Sequence, residues 1–308
     1  MEKKKSAPAN NLKRAKSPKK VVPKKKTKGS DKEKAGRAAY SYTKLDQFLD
    51  KPKDRVNFYA VVLDSSAPYY STELKKYLCT MKLMDESVFP KAGAQKKAAF
   101  MSMTVFANAK DLIPTPAKVG TILRIHRADV KKYKGENQLV CDVNIKGAWV
   151  MFDAAEGVAP IGQSGKSFTF TEDDKKTLKD VRKFAQKFFK DYDLSALSAV
   201  KDKKDEFDAV GIVLNRATKG KVEELTVCDG KEFYELKVPA MAFSSVMPLD
   251  VVYVRGIGKK GGKFTLSEYS NILKVPKEYG TAGKLMKDIE KKKKTGKFKE
   301  KLGLYSSF

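Results

Sequence analysis

Residues 119–127 read VGTILRIHR and residues 248–256 read PLDVVYVRG. Leu123 and Ile125 of the first correspond to Val252 and Val254 of the second, and Arg124 and His126 correspond to Tyr253 and Arg255. Successive side chains of a strand face opposite ways, so each stretch is predicted to bury an aliphatic pair and to offer a cationic or aromatic pair on its other face. Each then enters a polar turn, KKYKGEN (131–137) or GIGKKGG (256–262), and returns as another strand, which is hairpin chemistry.

Working outward from this pair, the chain holds two sets of short strand-like runs punctuated by Gly, Pro and charge. VNFYAVVLD, KYLCTMKLMD, AFMSMTVFA, VGTILRIHRADV and QLVCDVNIKGAWVMF follow one another up to Phe152. EFDAVGIVLN, EELTVCD, KEFYELKV, LDVVYVRGI and GKFTLSEYSNIL repeat the order from Glu206 to Leu273. Five short strands with a long loop after the first and a hairpin between the last two describe the OB-fold, a partly open barrel, although small SH3-like barrels give similar strand counts. The fold class expected is mainly β: two OB-fold barrels joined by an amphipathic helix, with disordered basic tails. The boundaries read as a disordered N-terminal tail over 1–39, a first barrel over 40–160, a linker over 161–204, a second barrel over 205–276 and a Lys-rich C-terminal tail over 277–308.

The linker contains Leu178, Val181, Phe184, Ala185, Phe188, Phe189 and Tyr192 at helical spacing, after Thr171 as N-cap and Asp173 and Asp174 in the first turn. These aromatics are read as packing against a neighbouring domain. Trp149, in GAWVMF, is read as core, and Cys79, Cys141 and Cys228, far apart and without a Cys-x-x-Cys pair, as reduced core residues.

Lys and Arg number 64 against 37 Asp and Glu, a net charge of +27. Residues 1–39 contribute +12 and residues 281–308 contribute +6, which leaves +9 on the part expected to fold. That excess points to a polyanion as partner. No run is long and apolar enough to cross a bilayer and the N-terminus lacks a signal-peptide pattern, so no membrane partner is expected. Lys13-Arg14, Lys24-Lys25-Lys26 and the SPKK beginning at Ser17 read either as a nuclear address with a linker-histone-like repeat or as a solvated charged tail.

Catalytic templates fail on inspection. The glycines of GIGKKGG run into a strand where a dinucleotide loop would open a helix, and GQSGKS has Pro160 at the first glycine position of a phosphate loop. With one histidine there is no zinc cluster and no paired imidazole. No enzymatic role, cofactor or metal is expected. What remains is aromatics among lysines on the two loops where OB-folds take ligands. SSAPYYSTELKK and KKYKGEN present Tyr69, Tyr70 and Tyr133 beside Lys75, Lys76, Lys131, Lys132 and Lys134, with Tyr77 and Lys82 on the strand that follows. Exposed tyrosines stack on unpaired bases, which duplex DNA does not offer, so a single strand is favoured; each tyrosine could equally pack on its own barrel.

FYAVVLDSSAPY, YLCTMKLMD, ILRIHRADVKKYKG with GAWVMF, and VVYVRG with LSEYSNI resemble the alpha subunit of ciliate telomere end-binding proteins, relatives of the protection-of-telomeres proteins. The resemblance runs from about Asn57 to Val275 with the elements in order. It implies a pair of OB-folds that bind the G-rich single-stranded 3′ overhang of chromosome ends in the nucleus. It nominates Tyr69, Tyr77, Lys82, Tyr133 and Gln138 in the first barrel and Glu206, Asp208, Tyr253, Arg255 and Tyr269 in the second, to which the strand reading adds Arg124 and His126. Glu206 and Asp208 would accept from the pairing edge of guanine. Asn144, Lys221 and Glu268 stand where the family suggests two aromatics and a histidine, and Tyr253 where it suggests arginine. The missing stackers imply weaker binding, as in a replication-associated paralogue. The chain stops soon after the second set, where the full-length alpha subunit has a further OB-fold for its beta partner, so a beta-type partner is not expected; the Lys-rich tail would contact DNA or another telomere or replication protein. Two other readings share these features: a chromatin-architectural protein that binds duplex DNA, and a general single-stranded DNA or RNA chaperone.

Overall fold

The computed structural model describes residues 40–89, 100–195, 206–239, 243 and 245–293, all within a compact unit spanning Tyr40–Phe308. The N-terminal tail, with its basic clusters and Ser17, and residues 294–308 of the Lys-rich C-terminal stretch lie outside the described residues.

The first module begins with β1 (Lys53–Ser65), a short β2 (Tyr69–Ser71), β3 (Lys76–Met84) and β4 (Met101–Ala107). It continues with β5 (Ile122–Tyr133), β6 (Glu136–Asp142), β7 (Ala148–Phe152) and β8 (Pro160–Gln163). The ladder runs β1-β3-β4-β6-β5 and returns to β1, so five strands close on themselves. The closing β4–β6 contact is parallel, from Met103↔Leu139 to Phe106↔Asp142, while the other pairs are antiparallel. This is the OB-fold barrel the sequence predicts.

Two details differ from the sequence reading. The run 138–152 is two strands, because the Asp142 carbonyl accepts from the N–H groups of Ile145, Lys146 and Gly147 and turns the chain between them. The strand β8, Pro160–Gln163, which begins at the last residue expected in the barrel and runs into the expected linker, pairs with β7.

In the core, Leu123 and Ile125 are fully buried among Phe58, Met81, Met103 and Leu139. Trp149 is buried with its Nε1 donating to the Leu112 carbonyl at 2.8 Å, and all three cysteines are buried and unbridged.

The second module has β9 (Glu206–Lys219), β10 (Val222–Cys228), β11 (Phe233–Pro239), β12 (Val251–Lys260) and β13 (Lys263–Lys274). Its order, β11-β10-β9-β12-β13, is that of the first barrel cut between the third and fifth strands. Among the described residues no ladder joins β11 to β13, so the expected second closed barrel is not formed by hydrogen bonds. Side chains fill that gap: the Tyr234 ring of β11 meets the Phe264 ring of β13 at 5.0 Å, and Phe207 lies 5.6 Å from the former and 6.1 Å from the latter.

Between the modules, α1 (Glu172–Asp191) begins as predicted. Thr171 accepts from the Asp174 N–H and its own N–H donates back to the Asp174 carboxylate, a complete capping box. Its apolar face buries Leu178, Val181, Ala185, Phe188 and Phe189. The segment expected as a C-terminal tail contains a packed helix, α2 (Gly280–Lys292), with Leu285 and Ile289 buried. Tyr279, which precedes it, stacks on Phe189 at 4.2 Å and 7° and sits over Gly120, where a Cβ would overlap the phenol oxygen and where φ is +88°. The modules also share backbone hydrogen bonds, Val119 N–H to the Lys274 carbonyl and Lys274 N–H to the Ala117 carbonyl, both 2.9 Å.

Candidate nucleic-acid interface

The outer face of β3 carries Leu78, Thr80 and Lys82, alternating with Cys79, Met81 and Leu83 in the core. Against it lies the second module. Arg255 donates to Thr80 twice, Nη1 to the carbonyl at 3.0 Å and Nη2 to Oγ1 at 2.8 Å. Asn271 donates to the Ser65 carbonyl at 3.1 Å, and the Ala67 N–H donates to the Tyr269 carbonyl at 3.1 Å.

At the centre of this seam is a quartet of charges. A register shift in the β1–β3 ladder falls between Val62 and Asp64, whose carboxylate is wholly buried; such a bulge re-aims the side chain beside it. The Asp64 carboxylate lies 3.3 Å from Lys82 Nζ, its register partner, and 3.2 Å from Arg255 Nη1 across the seam. Lys82 Nζ is also 3.7 Å from Asp208 of β9. In turn, Asp208 accepts from the Tyr253 hydroxyl and the Gly256 N–H, each at 2.9 Å. Gly256 has φ +71°, a bulge conformation that glycine supplies without strain. Burial, with the charges of Asp64 and Asp208, pushes the Tyr253 hydroxyl pKa far up, so the phenol stays protonated and donating.

The rim of the seam holds half-buried groups, Tyr69, Tyr269 and Glu206, and the exposed Phe100. Tyr69 and Tyr269 approach edge to face at 6.0 Å, one from each module, and the Tyr269 hydroxyl donates to Glu206, an interaction that raises its pKa. Phe100, a residue no sequence motif singled out, is 39% exposed with the Lys82 ammonium 5.5 Å from its ring centre.

Of the nominated residues, Tyr69, Lys82, Glu206, Asp208, Tyr253, Arg255 and Tyr269 therefore converge from two distant stretches of sequence. Their roles divide. Tyr253 is fully buried, so it is no base platform, because its hydroxyl is spent on Asp208 and its ring on the core. Asp208 already accepts one hydrogen bond within the protein on each oxygen, and its side chain is only 10% exposed.

Tyr77 and Gln138 are half-buried on the first barrel. Tyr77 packs on the core with Tyr70 at 5.1 Å, and it is Tyr70 that is exposed. Tyr133, 57% exposed at the end of β5 with Lys134 Nζ 5.4 Å from its ring, is an open face. Of the departures noted in the sequence, Asn144 hydrogen-bonds Asp142 in the turn after β6, and Lys221 and Glu268 are exposed.

Arg124 and His126 do not line a groove. They are 2% and 6% exposed beneath α1. Arg124 Nη1 donates to the Thr169 carbonyl at 2.9 Å and lies 3.4 Å from Asp174, and the guanidinium rests 5.0 Å from the Phe168 ring centre. Asp174 also accepts from the hydroxyls of Tyr42 at 2.6 Å and Tyr59 at 2.9 Å. Since Tyr42 gives its one proton to Asp174, the His126 Nε2 that lies 3.0 Å from it must donate. Burial and the neighbouring Arg124 and Arg127 charges push His126 down to about 4, so it is neutral near pH 7. The expected outward pair faces away from the barrel core, but α1, the segment 168–171 before it, and Tyr40 and Tyr42 cover it.

Residues 36–195, just over half the chain, match the family described as "Telomeric single stranded DNA binding POT1/CDC13". The chain is 26% identical over 305 residues to the "Telomere-binding protein subunit alpha" of Stylonychia mytilus, covering 90% of this chain and 61% of that one. It is 26% identical over 283 residues to the protein of the same name from Sterkiella nova, covering 82% and 56%. It thus spans about three fifths of the length of these relatives. Among solved structures, fission yeast Pot1 with single-stranded DNA covers 83% of this chain and 95% of its own, at 12% identity and a TM-score of 0.39. The chain belongs to the telomeric single-stranded DNA-binding POT1/CDC13 family.

Proposed function

We propose that this chain binds the G-rich single-stranded 3′ overhang of chromosome ends, without catalysing a reaction, along the first barrel and the rim of the seam. The supporting observation is the convergence there of aromatic and polar groups from both modules within a member of this family. Tyr69, Tyr70, Phe100, Tyr133 and Tyr269 offer rings on which unpaired bases stack, at about 1–3 kcal/mol each. Lys131, Lys132 and Lys134 are exposed cations beside Tyr133 for phosphate. Glu206 faces the rim through Tyr269 and is the carboxylate fit to accept from a guanine N–H edge.

In this reading the protein works in the nucleus at the telomere. The loss of stackers at Asn144, Lys221 and Glu268 suits a replication-associated member that exchanges on the overhang, in company with other telomere or replication proteins. The test is competition on the full chain among a G-rich telomeric oligonucleotide, its C-rich complement, an RNA copy and a duplex at moderate salt. Preference for the G-rich strand is expected; equal binding of all single strands, or preference for duplex, replaces this reading with a general chaperone or an architectural protein.

A further inference from the structure

The four seam charges combine three properties: they are balanced, they are withdrawn from solvent, and they come from both modules. Side-chain exposure is 0% for Asp64, 9% for Lys82, 10% for Asp208 and 16% for Arg255. Two cations against two carboxylates leave no net charge to draw in a phosphate. Arg255 donates to Thr80, and the Lys82 ammonium is ion-paired between the two carboxylates, 3.3 Å from Asp64 and 3.7 Å from Asp208. Among the described residues Asp64 has no hydrogen bond to either oxygen, and its buried charge is met there by Lys82 and Arg255. Taking one cation away therefore strands a carboxylate in a dry interface, whereas removing a carboxylate and a cation together leaves the balance intact.

We propose that Lys82, Asp64, Asp208 and Arg255 are positioning residues: a neutral lock that fixes the second module against β3 and so sets the spacing of the stacking rims, with Lys82 contacting no phosphate. This rests on the function proposed above and assigns the seam a different part in it from the tyrosines and the exposed lysines. Tyr69 and Tyr269 belong to different modules and meet edge to face, so their relative placement depends on the seam being closed.

The experiment compares the wild-type full chain with Lys82→Met and with the double variant Asp64→Asn/Lys82→Met, measuring affinity for a G-rich oligonucleotide across a salt series, and thermal stability. Lys82→Met is expected to weaken binding about tenfold or more while the slope of log affinity against log salt stays within about 0.3 of wild type. The double variant is expected to return to within about threefold of wild type. A ligand to phosphate would behave otherwise: its removal lowers the slope by about 0.7, and no second substitution in the protein restores it.

A reduced slope, a double variant as weak as the single one, or a single variant with unchanged affinity overturns the proposal. If Lys82→Met alone fails to fold, the double variant decides: folded and tight-binding supports the lock, folded and weak-binding overturns it. A wild-type protein that shows no preference for the G-rich strand instead fails the proposed function, and the double variant's recovery of thermal stability then still reports on the lock.

Discussion

β5 and β12 occupy the same place in their modules and carry the same alternation, yet their outward pairs meet opposite fates. Arg124 and His126 of β5 are sealed beneath α1 in a network centred on Asp174. Tyr253 and Arg255 of β12 are pressed into the first barrel, where Arg255 bridges to Thr80 and Asp64. Strand geometry fixes which side chains turn away from the barrel core. It does not fix what covers them, and here one strand is covered by a helix and the other by a neighbouring module. The cationic pattern that suggests a ligand face is in both places a fastening.

The two fastenings can be told apart. Arg124→Ala should cost the most stability, about 3–5 kcal/mol, because it strands the Asp174 carboxylate under the helix, and should leave the affinity of the folded fraction near wild type. Arg255→Ala should instead lower affinity along with stability, since it loosens the seam. Paired denaturation and oligonucleotide titrations check this, and an Arg124 variant that folds normally but binds poorly would reverse the comparison.

A second contrast lies at the ends of the first barrel. Tyr133→Ala should cost about 1–3 kcal/mol in binding and under about 0.5 kcal/mol in stability, as befits an exposed side chain. Trp149→Ala, which empties a core site and orphans the Leu112 carbonyl, should cost far more in stability than in intrinsic affinity. The opposite ranking would mean that groove and core have been exchanged.

The smallest effect expected is a pH dependence. His126 titrates near 4 in the folded protein against 6.5 ordinarily, so between these values the unfolded chain holds a proton that the folded one does not. Stability therefore falls as pH drops through that window, by about 1–2 kcal/mol once partial solvent contact is allowed for. Asp174, whose pKa is lowered from 3.8, contributes its loss only below that value. Melting curves of His126→Gln between pH 7 and 4.5 should be flatter than those of the wild type.

Much of the fold is legible in the chain. The aliphatic alternation of VGTILRIHR and PLDVVYVRG, the Thr171 cap and the spacing from Leu178 to Phe189 mark strands, hairpins and helix because they are local consequences of backbone periodicity. Tyr70 and Tyr133, exposed beside polar turns, are legible too, whereas Tyr69 and Tyr269 are half-buried in strands and pack on each other. Phe100 and Asp64 were not legible: one opens the strand-like run AFMSMTVFA with nothing to mark it as exposed, and the other ends an apolar run as FYAVVLD, a lone charge whose partners, Lys82 and Arg255, lie 18 and 191 residues away. That strand-end aspartate was the available signal.

By itself the sequence determined the periodicities, the order of elements, the excess of positive charge and the family. It took the tertiary structure to show that, among the described residues, no ladder closes the second sheet around Tyr234 and Phe264, that residues after Tyr279 dock as a helix, and that three nominated contact residues, Lys82, Asp208 and Arg255, meet Asp64 at the seam between the modules. The physical reason is range. Alternation, capping and turn chemistry act between residues a few positions apart, whereas burial and ion pairing depend on which distant surfaces meet.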